Sequence, residues 1–239
     1  MKLALISDLH SSLVPFEAVL ADAARVGVER FICLGDVMDL GPQPSQLVRR
    51  IRALGIPCLR GNHDVLSGPS LAPPEVNAWC RTQLDAEGRA FLEALPAELS
   101  LELPSGDRLL CVHGSPRAND DEVLASTPDD VLDGWTAGHA FEVMASGHTH
   151  LQLLRRHRGR TFVNPGSVAQ PFLEPARGGK PPVVLRHAEY AVVDAAARGF
   201  SVDFRKVPYD FEAYARDVRA SGLPGPEQWL ATWVAARNA

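Results

Sequence analysis

Five of the eight histidines in this chain stand in short polar clusters, each following an apolar run. The clusters are Asp8-Leu9-His10, Gly61-Asn62-His63-Asp64, His113-Gly114 and Gly147-His148-Thr149-His150, joined by a histidine-free Gly35-Asp36. That set of side chains suits a two-metal hydrolytic site. A pair of divalent ions ~3.5–4 Å apart needs about seven protein donors, one of them an anionic oxygen able to bridge both ions and offset their charge. Asp36 is the natural bridge. Asp8 and His10, two residues apart on an extended chain, project to the same face and can grip one ion together. His148 and His150 repeat that spacing, although two neighbouring histidines at a loop mouth can equally reach different ions. Asn62 and His113 complete the set. Imidazole, carboxylate and a neutral amide oxygen, without thiolate, favour Mn²⁺, Fe or a similar first-row ion over a structural zinc, which takes four closed ligands and usually cysteine. Such a site keeps positions open for water and substrate.

The elements that must carry these clusters follow from the apolar patterning. Residues 3–6, 31–34, 56–59, 109–112 and 141–145 read as strands, which puts every cluster at a strand's carboxyl end, where open α/β sheets collect their ligands. Residues 15–26, 44–54 and 75–95 show apolar positions at three-to-four spacing and read as helices. Strand alternation returns at 99–103. After residue 160 strands dominate, at 161–163, 189–193 and 200–207, the last two forming a hairpin. A helix-rich half followed by a strand-rich half fits two sheets packed face to face with helices outside. Residues 171–182 are rich in Gly and Pro and read as a loop bordering the site. Trp229, Leu230, Trp233 and Val234 fall at helical spacing, as expected of a C-terminal helix docked on the body.

The chain's 239 residues are enough for one full core, so residues 1–239 are expected to form one domain. A net charge of −5 and an isoelectric point near 5.9 provide no basic field for nucleic acid or an anionic membrane surface. The first strand begins at Leu3 without a charged-then-apolar leader, and no apolar stretch approaches the ~18 residues of a membrane span, so the expected location is the cytoplasm. Cys33, Cys58, Cys80 and Cys111 are widely spaced, three of them within predicted strands, and read as buried free thiols of a reducing compartment. His139, His157 and His187 read as surface or packing histidines. Asp39, three residues past Asp36, reads as a partner behind the site or as a loop cap. The run Arg155, Arg156, His157, Arg158, Arg160 reads as the solvated tip of a turn between strands.

Taken in order, the five clusters resemble the calcineurin-like metallophosphoesterase superfamily. Further stretches are similar to its small bacterial and archaeal predicted phosphodiesterases: Leu34-Gly35-Asp36 running on to Gly41-Pro42-Gln43-Pro44, then Asn164-Pro165-Gly166-Ser167-Val168, then Val207-Pro208-Tyr209-Asp210 with Ser221-Gly222-Leu223-Pro224. The resemblance implies an α/β fold, a four-layer αββα sandwich with two mixed β-sheets (the metallo-dependent phosphatase fold). It implies two divalent transition ions, Mn²⁺ first with Fe, Zn, Ni or Co as others. One ion would be held by Asp8, His10, Asp36 and His150, and the other by Asp36, Asn62, His113 and His148. His63 would be the catalytic histidine and Asp64 the carboxylate that orients it. In the implied mechanism a hydroxide bridging the ions attacks phosphorus in line while His63 assists the departing alkoxide.

The implied substrates are small-molecule phosphodiesters or phosphomonoesters. A phosphoprotein or dinucleoside polyphosphate phosphatase would use the same core. A metal-binding scaffold without turnover is the alternative from another class, and the retention of His63 with all seven ligands argues against it. After Val168 the resembled proteins continue Gly-Gln-Pro-Arg, whereas this chain has Ala169-Gln170-Pro171-Phe172. Arg177, Lys180 and Arg186 are the candidates to supply the displaced phosphate contact.

Overall fold

Two sheets take up all but one of the predicted strands. The structure, a computed structural model, describes residues 1–67 and 72–234. In chain order its elements are β1 (Lys2–Ile6), α1 (Leu13–Arg25), β2 (Arg30–Cys33), α2 (Pro44–Leu54), α3 (Pro74–Gln83), α4 (Ala86–Glu93), β3 (Glu98–Glu102), β4 (Arg108–Val112) and α5 (Asp129–Trp135). There follow β5 (Val143–Ala145), β6 (Gln152–His157), β7 (Arg160–Pro165), β8 (Phe172–Glu174), β9 (Val183–Leu185), β10 (His187–Ala196), β11 (Gly199–Pro208), α6 (Phe211–Ser221), α7 (Pro226–Leu230) and β12 (Trp233–Val234). One sheet has the order β11-β10-β1-β2 and the other β3-β4-β5-β7-β6, with a small third sheet β12-β9-β8. Both large sheets are mixed: β1 runs parallel to β2 and antiparallel to β10, and parallel β4, β5 and β7 are flanked by antiparallel β3 and β6.

Alternation along the strands sets the layers. Leu3, Leu5 and Ile32 of the first sheet face Leu109, Cys111, Val143 and Val163 of the second across a shared core. The alternate residues Ala4, Ile6 and Cys33 point the other way, onto Phe16 and Val19 of α1 and Leu47 and Ile51 of α2. On the far side, Leu110, Met144 and Phe162 pack against Leu132 of α5. The result is a four-layer αββα sandwich. Strands covered on both faces read as continuous apolar runs, which is why β1 is Lys-Leu-Ala-Leu-Ile. Each large aliphatic side chain so buried contributes roughly 1.5–3 kcal/mol.

Several expected boundaries move, for identifiable reasons. Residues 56–59 make only an isolated parallel bridge, Cys58 with Cys33, because Pro57 has no N–H to extend the ladder. The chain still follows β2, with Leu59 N–H donating to Cys33 O at 2.9 Å. The predicted helix over 75–95 breaks into α3 and α4 where the Asp85 carboxylate accepts from Gly88 N–H at 2.7 Å as an N-cap. The segment 171–182 opens as strand β8, and Trp233 and Val234 form β12, parallel to β9, instead of continuing a helix. Trp233 is nonetheless buried. The blocks around Asp210 and Gly222 turn out to be the two ends of α6: Asp210 caps Ala213 N–H at 2.9 Å, and Gly222 closes the helix at φ 85°. The basic run is not a free tip. Arg155 pairs with Asp129 at 2.6 Å, and His157 and Arg158 pair with Asp133 at 2.8 and 2.9 Å, tying the β6–β7 hairpin to α5. All four cysteines are buried and free. Among the described residues no helix is long and apolar enough to cross a membrane.

A polar tie joins α1 to the first sheet. Asp22 accepts from Tyr190 Oη at 2.8 Å and Arg205 Nε at 2.6 Å, with Arg25 beside it. The hydrogen bond from Arg205 holds its carboxyl well below the usual carboxylate range, against the opposing effect of burial. A depressed carboxyl pKa contributes stability that is present above the ordinary value near 3.8 and is lost as pH falls below it. Asp22→Ala is therefore expected to cost about 3 kcal/mol at neutral pH and Tyr190→Phe about 1 kcal/mol. Denaturant unfolding checks both. The gap between wild type and Asp22→Asn should narrow towards pH 2, and a gap that stayed constant would contradict the linkage.

Candidate metal centre

The loops leaving β1, β2, the Cys58 bridge, β4 and β5 meet at one edge of the sandwich. The structure brings all seven expected ligands together there. Ligand atoms of Asp8, His10 and His150 lie within 4.8 Å of one another, and those of Asp36, His113 and His148 form a second such group. In the first, His150 Nε2 is 3.3 Å from Asp8 Oδ1 and 3.1 Å from His10 Nε2. In the second, Asn62 Oδ1 is 2.9 Å from both His113 Nε2 and His148 Nδ1. Asp36 Oδ2 stands between the groups, 3.3 Å from His113 Nε2 and 3.8 Å from His10 Nε2.

The route by which Asp8 and His10 converge differs from the extended backbone expected of them. Asp8, His10, Asp36, His148 and His150 have φ of 55°, 39°, 54°, 67° and 58°, all left-handed. Such backbone costs on the order of 1–3 kcal/mol per residue and persists only where the surroundings enforce it. Here they do. His10 N–H donates to Asp36 O at 3.0 Å, Ser167 Oγ to Asp8 O at 2.8 Å, and Asn164 Nδ2 to Gly147 O at 2.6 Å. The Asn164 to Val168 block thus clamps two ligand loops. Gly61 is needed for close approach: a Cβ there would stand 2.0 Å from Asp36 Oδ1 and 2.3 Å from Asp36 N.

Asp64 is part of the same clamp. Its carboxylate accepts three backbone N–H groups, from Asp36 at 2.8 Å and from Met38 and Gly61 at 2.9 Å each. Burial, and then the charge of Asp36, push its pKa up to about 6. The expected pairing of Asp64 with the His63 ring is therefore corrected. It is Asp39 Oδ2 that accepts from His63 Nδ1, at 3.1 Å, and the same oxygen takes a second hydrogen bond from Asn77 Nδ2 on α3 at 2.7 Å. Asp39 also accepts from Leu40 N–H at 3.0 Å, so it serves both as partner behind the site and as loop cap. His63 packs edge-on to His10 at 5.1 Å. Burial works against its charged form, but Asp36 and then Asp39 outweigh it and hold the ring's pKa above the ordinary value.

The donor set fits a pair of divalent ions. His113 Nδ1 donates to Leu34 O at 2.8 Å and His150 Nδ1 to Gln170 O at 2.7 Å. In the neutral rings that leaves Nε2 as a lone pair facing other acceptors: Asn62 and Asp36 oxygens in one case, Asp8 Oδ1 in the other. Asp8 Oδ1 is buried without a hydrogen-bond partner. Converging acceptors need a cation between them, either protons or metal. With only side chains to balance charge, the groups polarise one another. Burial pushes the Asp36 carboxyl up, but His113 and His63 outweigh it and leave it well below its usual range. His113 is raised to about 9, because Asp36 outweighs burial, and His10 is driven down to about 3 by burial.

A cavity of about 880 Å³ opens onto the centre, where Asp36, His63, His148 and His150 form its floor. Of the three basic residues weighed for a phosphate contact, only Arg177 lines it. Arg186 stacks on Phe211 at 4.0 Å and donates to Trp233 O, while Lys180 bridges to Arg177 across the hairpin turn. Asn77 and Gln170 were not expected at the site. Neither has a local signal, because each acts through a contact made only once α3 or the residues after Val168 fold against the ligand loops.

The family model for the calcineurin-like phosphoesterase superfamily domain matches residues 1–194. The chain is similar to a metallophosphoesterase from Sphaerobacter thermophilus of known crystal structure, with a TM-score of 0.76 and 30% identity, covering 97% of this chain and 98% of that one. It is 27% identical over 241 residues to the uncharacterized protein MJ0912 of Methanocaldococcus jannaschii, covering 95% of each. Phosphodiesterase YfcE of Escherichia coli K12 is 28% identical over 211 residues, which is 81% of this chain and 88% of that protein.

Proposed function

The chain belongs to the calcineurin-like phosphoesterase superfamily and is a metal-dependent phosphoesterase; on that premise we propose that it hydrolyses small phosphodiesters at a dinuclear centre. Asp8, His10 and His150 would hold one ion, Asn62, His113 and His148 the other, and Asp36 both. The placement of Asp36 Oδ2 between the two groups of donors carries this reading. When bound, the ions would supply a low-pKa water as nucleophile and offset charge on the phosphoryl oxygens.

This chain's own residues do the rest. Asp8 and Asp36 bring negative charge that would hold two cations at one edge of the sheets, and the carbonyls of Leu34 and Gln170 fix which nitrogens of His113 and His150 face inward. His63 projects at the cavity floor with Nδ1 spent on Asp39, so Nε2 is the nitrogen free to meet the departing oxygen. Asp36 and Asp39 favour its protonated form, as a proton donor requires. The name of the Escherichia coli relative, a phosphodiesterase, favours diesters over monoesters. Localisation in the cytoplasm and a single domain spanning residues 1–239 belong to the same reading.

Metal reconstitution tests it. The purified protein should take up two divalent ions per chain, show its highest turnover of a generic aryl phosphodiester with Mn²⁺, and lose that turnover in a strong chelator. Elemental analysis showing fewer than one bound equivalent at saturation, or activity undiminished by chelation, would sink the dinuclear assignment.

A further inference from the structure

The cavity over the metal centre is larger and less polar than hydrolysis of a phosphate ester requires. At about 880 Å³ it lies towards the upper end of small-molecule sites, which run ~300–1,000 Å³. Beyond the histidines its lining is chiefly apolar, with Leu40, Val76, Leu124, Leu151, Phe172 and Trp229. The aromatic groups offer ring surface. Trp229 already donates its N–H to Tyr214 Oη at 3.2 Å, and Phe172 stacks on His150 with centroids 4.3 Å apart and planes 17° from parallel.

Charge on the walls tells against polyanions. Away from the metal centre the described lining carries Glu75 and Glu122 against one cation, Arg177, so acidic groups outnumber basic ones there. A substrate with three or four phosphates would bring charges beyond the reach of the metals into a space where the described lining offers one guanidinium against two carboxylates. Burying them unpaired is prohibitive. Trp229 lies on α7, beyond the family-matched residues 1–194, and α7 is fastened by β12, which pairs with β9, which pairs with β8 carrying Phe172. The metal centre does the hydrolysis common to the superfamily, and this wall shapes the space beside it.

We propose that this apolar chamber binds the organic group of the substrate, and that the natural substrate is a phosphodiester with one phosphate and a bulky, uncharged, ring-bearing alcohol, discriminated from nucleoside polyphosphates and dinucleoside polyphosphates. The inference rests on the phosphodiesterase reading above and narrows it. Burying a ring against Trp229 and Leu124 should be worth roughly tenfold to a hundredfold in kcat/KM, carried mainly by KM.

The experiment compares the Mn²⁺-loaded enzyme on three probes: methyl p-nitrophenyl phosphate, phenyl p-nitrophenyl phosphate and diadenosine tetraphosphate. The phenyl diester should exceed the methyl diester in kcat/KM by at least about tenfold, and the tetraphosphate should be the poorest substrate. Trp229→Ala, at unchanged metal content, should bring the two diesters to near equality, and Leu124→Ala, elsewhere in the lining, should do the same in part. The second variant covers the case in which loss of Trp229 loosens its packing on Trp233. Glu75→Gln with Glu122→Gln should narrow the gap to the tetraphosphate. Hydrolysis of both diesters at equal efficiency, a preference for the tetraphosphate, or a phenyl preference intact in both wall variants would overturn the chamber while leaving the phosphodiesterase reading standing. Metal-loaded protein inert on every probe would overturn both.

Discussion

Asp36→Asn is expected to lose at least one of the two proposed metal ions and to lower turnover by about 10⁴ or more, the largest effect expected of any single change in this protein. The substitution keeps the side chain's shape, and the amide oxygen can still accept from His63 N–H as Asp36 Oδ1 does at 2.8 Å. What it removes is the anionic oxygen between His10 Nε2 and His113 Nε2. No neighbouring carboxylate is placed to substitute. Asp8 faces the first group of donors, Asp64 is spent on three backbone N–H groups, and Asp39 is held by His63 and Asn77. Elemental analysis alongside circular dichroism decides the matter. A folded Asp36→Asn protein that kept two equivalents of metal and more than about a tenth of wild-type turnover would rule out a bridging role.

The cluster of candidate ligands was legible in the sequence for a physical reason. A strand buried on both faces must be apolar, so a polar cluster that breaks off such a run marks the strand's carboxyl end, and parallel strands bring those ends to one edge. Asp8, Asp36, Asn62, His113, His148 and His150 all follow that logic. How the ligands turn was not legible. Their left-handed backbone depends on bonds such as His10 N–H to Asp36 O, and Asp36 is far along the chain from His10. The same limit explains Asp64. Adjacent to His63 in sequence, it looked like the residue that orients the ring. The tight turn through Gly61 sends it back under Asp36, and the ring's partner comes instead from Asp39, 24 residues earlier, braced by α3. At the C-terminus the spacing of Trp229 and Trp233 suits a helix. Whether Trp233 continues α7 or pairs as a strand is settled by β9, which only the fold brings alongside.

Removing His63 should leave the metals in place and slow the chemistry in a way that depends on the leaving group. His63 is not within either group of candidate metal donors and lines the cavity. His63→Ala is expected to lower turnover by ~10² to 10⁴ on a diester with an alkyl leaving group, where the departing oxygen needs a proton. On a nitrophenyl diester, whose leaving group departs as a stable anion, the loss should be much smaller, within about tenfold. Asp39→Asn should reproduce that signature in weaker form, about 10- to 100-fold on the alkyl ester, because it removes the charge that fixes and supports the ring without removing the ring. Asp64→Asn should behave differently. Its amide would turn an N–H group towards the N–H groups of Asp36, Met38 or Gly61, so the loop carrying the bridge should shift and metal content should fall, with similar losses on both leaving groups. Turnover on the two esters, measured with metal analysis for each variant, separates these outcomes. If Asp64→Asn kept its metal and showed the leaving-group dependence while Asp39→Asn did not, Asp64 would be the residue that supports His63 and the geometric assignment to Asp39 would be wrong.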